Sequence, residues 1–206
     1  MVAMVIAPIV VGVGLLAATA GWYMTVQRAG GVATGPALTV AFVPAPGCPV
    51  DDAPTVRDRL KARMDDLGLA PSLVATTDGT WTFTLRTPGV LPDEREHLPN
   101  ALAAQGRLVV HKDGTPLSLT PKDVGFQLAF SGTPITLIVY PEPLPERGLT
   151  VTLDDAPMDV EQASGVELQL AARAGDSVSA VRAGTERTVV VRHPLPCPVR
   201  ATIVEG

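Results

Sequence analysis

Hydrophobic and polar side chains alternate along the first half of the chain with two different periods. Residues 37–43 and 81–85 alternate with a period of two, which predicts two strands with one buried face each. Between Asp52, placed as an N-cap, and Gly68, placed as a stop, apolar side chains recur every three or four positions. This spacing predicts an amphipathic helix whose buried stripe consists of Val56, Leu60, Met64 and Leu67.

The segments around these three elements complete an α+β order. A strand is predicted at residues 72–76, a helix at residues 92–105 and another strand at residues 107–111. From Ala37 onwards the order is therefore β-α-β-β-α-β, which is the ferredoxin-like plan. Further strands are predicted at residues 126–130, 134–140, 149–153, 166–170, 188–192 and 199–204.

This order of elements predicts a domain with two lobes. We expect a ferredoxin-like base lobe over residues 37–115 and an inserted β-rich second lobe over residues 116–195. A final strand within residues 196–206 is expected to return to the base lobe. The 20 prolines and 19 glycines agree with many short elements joined by turns.

An uncharged apolar segment precedes the domain. Residues 1–26 contain no charged side chain, and about 20 apolar residues suffice for a helix to cross the hydrocarbon core. We therefore expect a transmembrane anchor here, with Trp22 and Tyr23 at the membrane interface and a tether over residues 27–36. Two alternatives stay open: a cleaved signal peptide, for which residues 18–20 have the small-x-small pattern, and a buried core helix.

The residues that carry chemistry form no pattern typical of an enzyme. The histidines are His97, His111 and His193, and none stands in an HExxH pattern or beside a cysteine at metal-ligand spacing. There is no GxSxG turn and no phosphate loop ending in GKS or GKT. The net charge is −5 and basic side chains are scattered among acidic ones, which argues against nucleic acid as a partner. We expect no enzymatic activity, catalytic residue, metal, cofactor or small-molecule substrate.

The two cysteines, Cys48 and Cys197, both occur as Cys-Pro-Val. Two interpretations are open at this point. The cysteines are unrelated small buried residues, or they form a disulfide, which suits an oxidising compartment.

Three segments, taken in order, resemble the first periplasmic domain of SecD, a protein-export membrane protein that assists the Sec translocon. RDRLKARMDDLGLAPSLV is similar to SecD's helix with Arg-x-Arg-Leu/Ile, followed by Leu-Gly-Val and a strand. TWTFTLRTPGVLPDEREHLPNALAAQGRLVVH resembles SecD's strand with a Pro-Gly turn, an acidic helix start and a Leu-x-Phe strand. HPLPCPVRATIVEG is similar to its Leu-Pro-x-Pro-Leu strand. Together these segments span residues 37–205 behind a first membrane helix, as in SecD.

The sequence also departs from the SecD pattern. PEPLPERG stands where the second lobe of SecD has a longer helix, and Leu153-Asp154-Asp155 lacks the glycine of SecD's Leu-Asp-Gly strand. The later membrane helices, which in the family hold the charged residues that carry protons, do not occur before Gly206. We therefore expect no proton-driven motor in this chain itself.

The resemblance implies a location and a cysteine pairing. It implies a single-pass protein of the cell (inner) membrane with its domain outside the cytoplasm, although Arg28 alone would favour the opposite orientation. In SecD-like proteins the last strand returns antiparallel to the first, so the end of residues 37–43 lies beside the start of residues 199–204. A disulfide between Cys48 and Cys197 is therefore expected on the resemblance.

Two functions agree with this resemblance. The first is an accessory module in which exposed strand edges bind an emerging polypeptide, or which docks on a Sec translocon subunit. The alternative is a structural or interaction subunit of another envelope complex. In that case the apolar helix, with Gly12, Gly14, Ala17 and Ala18, is its assembly surface. The expected partners are the membrane and a protein.

Overall fold

Three antiparallel four-stranded sheets and three α-helices make up the part of the chain that the structure describes. The structure is a computed structural model, and the described residues are 36–77, 79–172 and 180–204. The predicted anchor at residues 1–26, with Trp22 and Tyr23, lies outside them. No helix among the described residues is both long and apolar enough to cross a membrane.

The elements follow one another in this order: β1 (Ala37–Pro44), α1 (Ala53–Asp66), β2 (Ser72–Thr77), β3 (Thr80–Arg86), α2 (Pro92–Ala103), β4 (Leu108–Lys112), β5 (Thr115–Pro116), β6 (Asp123–Leu128), β7 (Pro134–Val139), β8 (Leu149–Leu153), β9 (Ala156–Met158), β10 (Val160–Ser164), β11 (Glu167–Ala171), α3 (Ala180–Arg192) and β12 (Val199–Ile203). A short 3₁₀ helix, Val50–Asp52, precedes α1.

The base lobe consists of the sheet β12-β1-β3-β2 with α1 and α2 packed on one face. The period of two places alternate side chains of β1 and β3 in the core, where the Phe42 and Phe83 rings meet edge to face with centroids 6.1 Å apart. Of the predicted stripe, Val56, Leu60 and Met64 in helix α1 are fully buried, whereas Leu67 follows the helix and is only partly buried against the same core. The patterns that predicted β1, β3 and α1 are therefore confirmed.

One predicted member of the base sheet is wrong. The strand predicted at residues 107–111 corresponds to β4, which pairs with β5 and β8 in a separate sheet. The edge position beside β1 belongs to β12, with Phe42 opposite Ala201. The reason lies in the packing, because Val199 is buried in the base core whereas Val110 is buried in the core of the second lobe.

The second lobe contains the sheets β10-β11-β7-β6 and β5-β4-β8-β9 together with α3. Its core is built mainly from buried aliphatic side chains of facing strands and from Tyr140. Two predicted strands are shifted in the structure. The strand predicted at residues 126–130 is Asp123–Leu128, and the strand predicted at residues 166–170 is Glu167–Ala171.

The strand predicted at residues 188–192 is wrong, because this segment is the last part of helix α3. Its run of Thr and Val is typical of strands. In the structure Val189, Val190 and Val191 are all buried, and the Thr188 hydroxyl donates to the Gly184 carbonyl one turn earlier, at 2.9 Å. A helix that is covered on several sides tolerates β-branched residues, so tertiary packing overrides the local preference.

The chain passes from the base lobe to the second lobe after α2 and returns after α3. These two crossing segments contact each other, because the Leu195 N–H donates to the Gln105 carbonyl at 2.7 Å. Asp154 accepts hydrogen bonds from the Gly106 and Arg107 N–H groups at 3.0 and 2.7 Å, which ties the outgoing segment to the turn after β8. Both passages between the lobes therefore lie side by side.

Arg63 holds both crossing segments from within α1. Its side chain is completely buried, and the five N–H groups of its guanidinium make six hydrogen-bond contacts with five backbone carbonyls, one N–H being shared between two of them. The accepting carbonyls belong to Leu102, Ala104, Gln105, Val190 and His193. They lie at the C-terminal ends of α2 and α3, where helix carbonyls lack partners and carry partial negative charge. Burial lowers the pKa of Arg63 to about 10, so the side chain stays charged at neutral pH.

We predict that Arg63→Met lowers the free energy of unfolding by about 3–5 kcal/mol, because methionine fills part of the space but leaves buried carbonyls without donors. Urea unfolding followed by circular dichroism measures this change. The matched control is Arg57→Met on the same helix, whose half-exposed side chain pairs with Asp58 at 2.8 Å. That control should change stability by no more than about 0.5 kcal/mol. Equal effects of the two substitutions would contradict the assignment.

Candidate interaction surface

Cys48 and Cys197 form a disulfide at one end of the base sheet. Their Cα atoms are 5.5 Å apart, and they are separated by 149 positions in the sequence. The neighbouring Ala45 N–H donates to the Pro198 carbonyl at 2.9 Å, which continues the antiparallel pairing of β1 and β12 by one further bond. The backbone geometry expected from the resemblance is therefore present, with the end of the first strand beside the start of the last.

The three histidines lie far apart in the sequence, and their surroundings in the structure differ. His97 is exposed on α2, and His111 lies half-buried in β4. His193 follows α3, and its Nε2 lies 3.1 Å from the Asp66 carboxylate, which also pairs with Arg192 at 2.9 Å. Among the described residues, no group of three or more His, Cys, Asp and Glu side chains is arranged to hold a metal ion.

A partly buried ion pair lies on the face of α3 that is turned towards α2. The Arg182 Nε is 3.2 Å from the Glu186 carboxylate. Burial raises the pKa of Glu186, and the charge of Arg182 acts in the opposite direction. Glu94 of α2 also influences this carboxyl group, but its own carboxylate accepts from the Leu91 N–H at 3.2 Å and caps the start of α2. We interpret this cluster as helix packing.

The hairpin between β6 and β7 carries the most exposed aromatic side chain of the described residues. Phe130 is fully exposed at the tip, and Leu128 beside it is 54% exposed. The loop is held by backbone bonds from Ala129 N–H to the Thr133 carbonyl and from Gly132 N–H to the Ala129 carbonyl, at 3.0 and 2.8 Å. Two neighbouring apolar side chains exposed at one hairpin make this tip a candidate interaction site.

The sequence pattern missed this tip. It placed Phe130 as the last residue of a strand, where an alternating pattern would leave it half-buried. The following Ser131-Gly132-Thr133 is a turn sequence, and Gly132 takes a φ of +79° that favours glycine. Those turn residues, read as the centre of the hairpin, are the signal that would have placed Phe130 at its tip.

Two solved structures are similar in fold to this chain. One is a chain of SecDF, a membrane component that enhances protein export. It is 14% identical, the match covers 82% of this chain and 100% of that chain, and the TM-score is 0.53. The other is SecDF in its super-membrane-facing form. It is 16% identical, the match covers 94% of this chain and 34% of that chain, and the TM-score is 0.55.

The chain has a SecD-like fold. At this identity the similarity shows the fold alone. No protein-family model matches the chain, and neither does any curated protein. Within the SecD-like fold, Phe130 lies on the second lobe, and the disulfide lies at the edge of the base sheet.

We predict that thiol titration of the unfolded, unreduced protein finds no free thiol. The Cys48→Ser/Cys197→Ser variant should lose on the order of 5 kcal/mol of stability, because the disulfide closes a loop of about 150 residues and restricts the unfolded chain. Urea unfolding measures the loss. Alkylation without prior reduction is the control and should leave stability unchanged. Two titratable thiols in the unreduced protein would contradict the pairing.

Proposed function

We propose that this chain is a membrane-anchored, extracytoplasmic, SecD-like accessory module. It contacts an emerging polypeptide or a component of the Sec translocon, and it has neither enzymatic activity nor a proton-driven motor of its own. We further infer that its base lobe follows the ferredoxin-like plan, with β12 as the last strand and the second lobe inserted before it. The similarity to SecDF, a component that enhances protein export, supports this assignment.

The observation that carries the proposed contact is the exposed tip of the second lobe. Burying one aromatic or large aliphatic side chain stabilises a complex by roughly 1.5–3 kcal/mol before the cost of association. Phe130 and Leu128 together contribute roughly 3–6 kcal/mol, which is comparable to the smaller estimates of the cost of association, so the contact they make is weak and reversible. Such a contact suits a partner that has to be released as it passes.

Two features support the membrane-anchored, extracytoplasmic location. The uncharged residues 1–26 are long enough for a membrane-spanning helix. The Cys48–Cys197 disulfide is of the kind that persists in an oxidising compartment.

We predict that protease added to intact spheroplasts digests the domain. In the proposed orientation the cleavable backbone lies on the outer side of the membrane. Immunoblotting against the C-terminal part reads the result, with a cytoplasmic protein as the control for intact cells. Full protection of the domain in intact spheroplasts, together with digestion after lysis, would contradict the proposed orientation.

We predict that a photo-crosslinking amino acid at Phe130 captures a secretory chain arrested in the translocon, or a translocon subunit. The matched control replaces Val50, which is 87% exposed on the base lobe and should crosslink far less. Mass spectrometry identifies the partners. An unrelated envelope complex as the main partner of position 130 would favour the alternative, a structural subunit of that complex, and would overturn the proposed function.

A further inference from the structure

We propose that the free edge of β2 (Ser72–Thr77) binds a short, extended segment of unfolded polypeptide, which adds to the base sheet as a further strand. The inference rests on the proposed function and deepens it, because it adds a second binding surface, separate from the tip at Phe130, and names the mode of binding. In this mode the main-chain groups of the bound segment supply the hydrogen bonds.

Within the described part of the chain, strand β2 is open along its length. It pairs with β3 on one side, and no other described strand pairs with it. All six of its residues are exposed, including Leu73 at 48% and Val74 at 62%. A register shift between Leu73 and Ala75 leaves Val74 without a partner residue on β3. The strand thus presents both unpaired backbone groups and apolar side chains to solvent.

The other sheet edges of the described chain carry features that discourage further pairing. The Val124 carbonyl of β6 accepts from the Arg192 side chain at 2.7 Å, which covers part of that edge. Strands β5 and β9 are two and three residues long, and both contain proline. The edge strands β10 and β12 carry Glu161 and Arg200, respectively. Strand β2, with the sequence SLVATT, has neither a charge nor a proline.

The length of this edge points to a short extended segment and not to a second folded copy of the chain. Six residues of strand span about 20 Å, whereas a stable interface between folded proteins takes roughly 20–30 residues from each side. Backbone N–H and C=O groups are common to all sequences, so an unfolded chain of any sequence supplies the partners. Because β2 carries no charged side chain, it repels neither acidic nor basic segments. Leu73 and Val74 favour apolar side chains in the bound segment.

The experiment uses the full chain purified in detergent and a fluorescein-labelled ten-residue peptide of alternating Val and Thr. Fluorescence anisotropy measures binding. We expect wild type to bind the peptide and Val74→Lys to bind it at least tenfold more weakly. Val50→Lys, which adds the same charge at an exposed apolar position outside β2, should bind like wild type. A peptide N-methylated at alternate residues lacks the required donors and should not bind to wild type.

Several results would overturn the inference. The first is that wild type does not bind the peptide, and the second is that wild type binds the N-methylated peptide as tightly as the unmodified one. The third is that Val74→Lys, with an unchanged urea unfolding midpoint, binds the peptide as tightly as wild type does. A dimer in sedimentation experiments that Val74→Lys dissociates would assign the edge to a second copy instead. Crosslinking from Phe130 is measured separately, so failure at β2 with crosslinks retained removes this inference alone. If position 130 of the otherwise wild-type chain gives no crosslink to a secretory chain or a translocon subunit, the proposed function itself is removed.

Discussion

The buried guanidinium of Arg63 is the constraint on which the two-lobed arrangement depends. A charged group without water needs every donor satisfied, and in this chain the acceptors are backbone carbonyls at the ends of two helices. Because α1 carries the donor and α2 and α3 carry the acceptors, the three helices are held in one relative position. The chain leaves the base lobe and returns to it where those helix ends meet.

The neighbouring residues follow from this constraint. Gly106 lies directly beside the guanidinium with a φ of +79°, and a Cβ there would collide with the Val190 carbonyl and crowd the Arg63 side chain. The Asp154 carboxylate accepts hydrogen bonds from the Gly106 and Arg107 N–H groups in the outgoing segment. Its negative charge also raises the pKa of Arg63 and so partly offsets the lowering by burial. The disulfide acts at a separate place, where the return segment enters the base sheet. The Arg63 guanidinium, the hydrogen bonds to Asp154 and the Cys48–Cys197 disulfide thus each hold the connection between the base lobe and the inserted second lobe.

Much of the base lobe was predictable because its signals are local. The period-two strands and the stripe Val56, Leu60, Met64 follow from burial of one face, which the structure reproduces. Two predictions failed because they depend on partners far away in the sequence. The strand at residues 107–111 was assigned to the wrong sheet, and residues 188–192 were predicted as a strand although they form a helix. Arg63 itself was missed because arginine is usually solvated. Its position three residues after Leu60 and seven after Val56 places it on the buried stripe, and that spacing was the available signal.

The candidate interaction surface was less predictable, for a related physical reason. The exposure of Phe130 depends on the position of a hairpin turn. Whether β2 is an edge strand depends on the order of the strands in the sheet, in which β12 occupies the other edge. The cysteine pairing was reached only through the resemblance to SecD.

The same reasoning explains where binding capacity lies in this molecule. At the junction the polar backbone groups are already satisfied by Arg63 and Asp154, so that region has little left to offer a partner. The backbone edge of β2 and the apolar tip at Phe130 lie at the periphery and are instead exposed to solvent. A junction held this firmly keeps both surfaces in place before a partner arrives, so association costs less ordering of the protein itself. The interactions that stabilise the fold and those available for binding are thus separated in space, and the first set pre-organises the second.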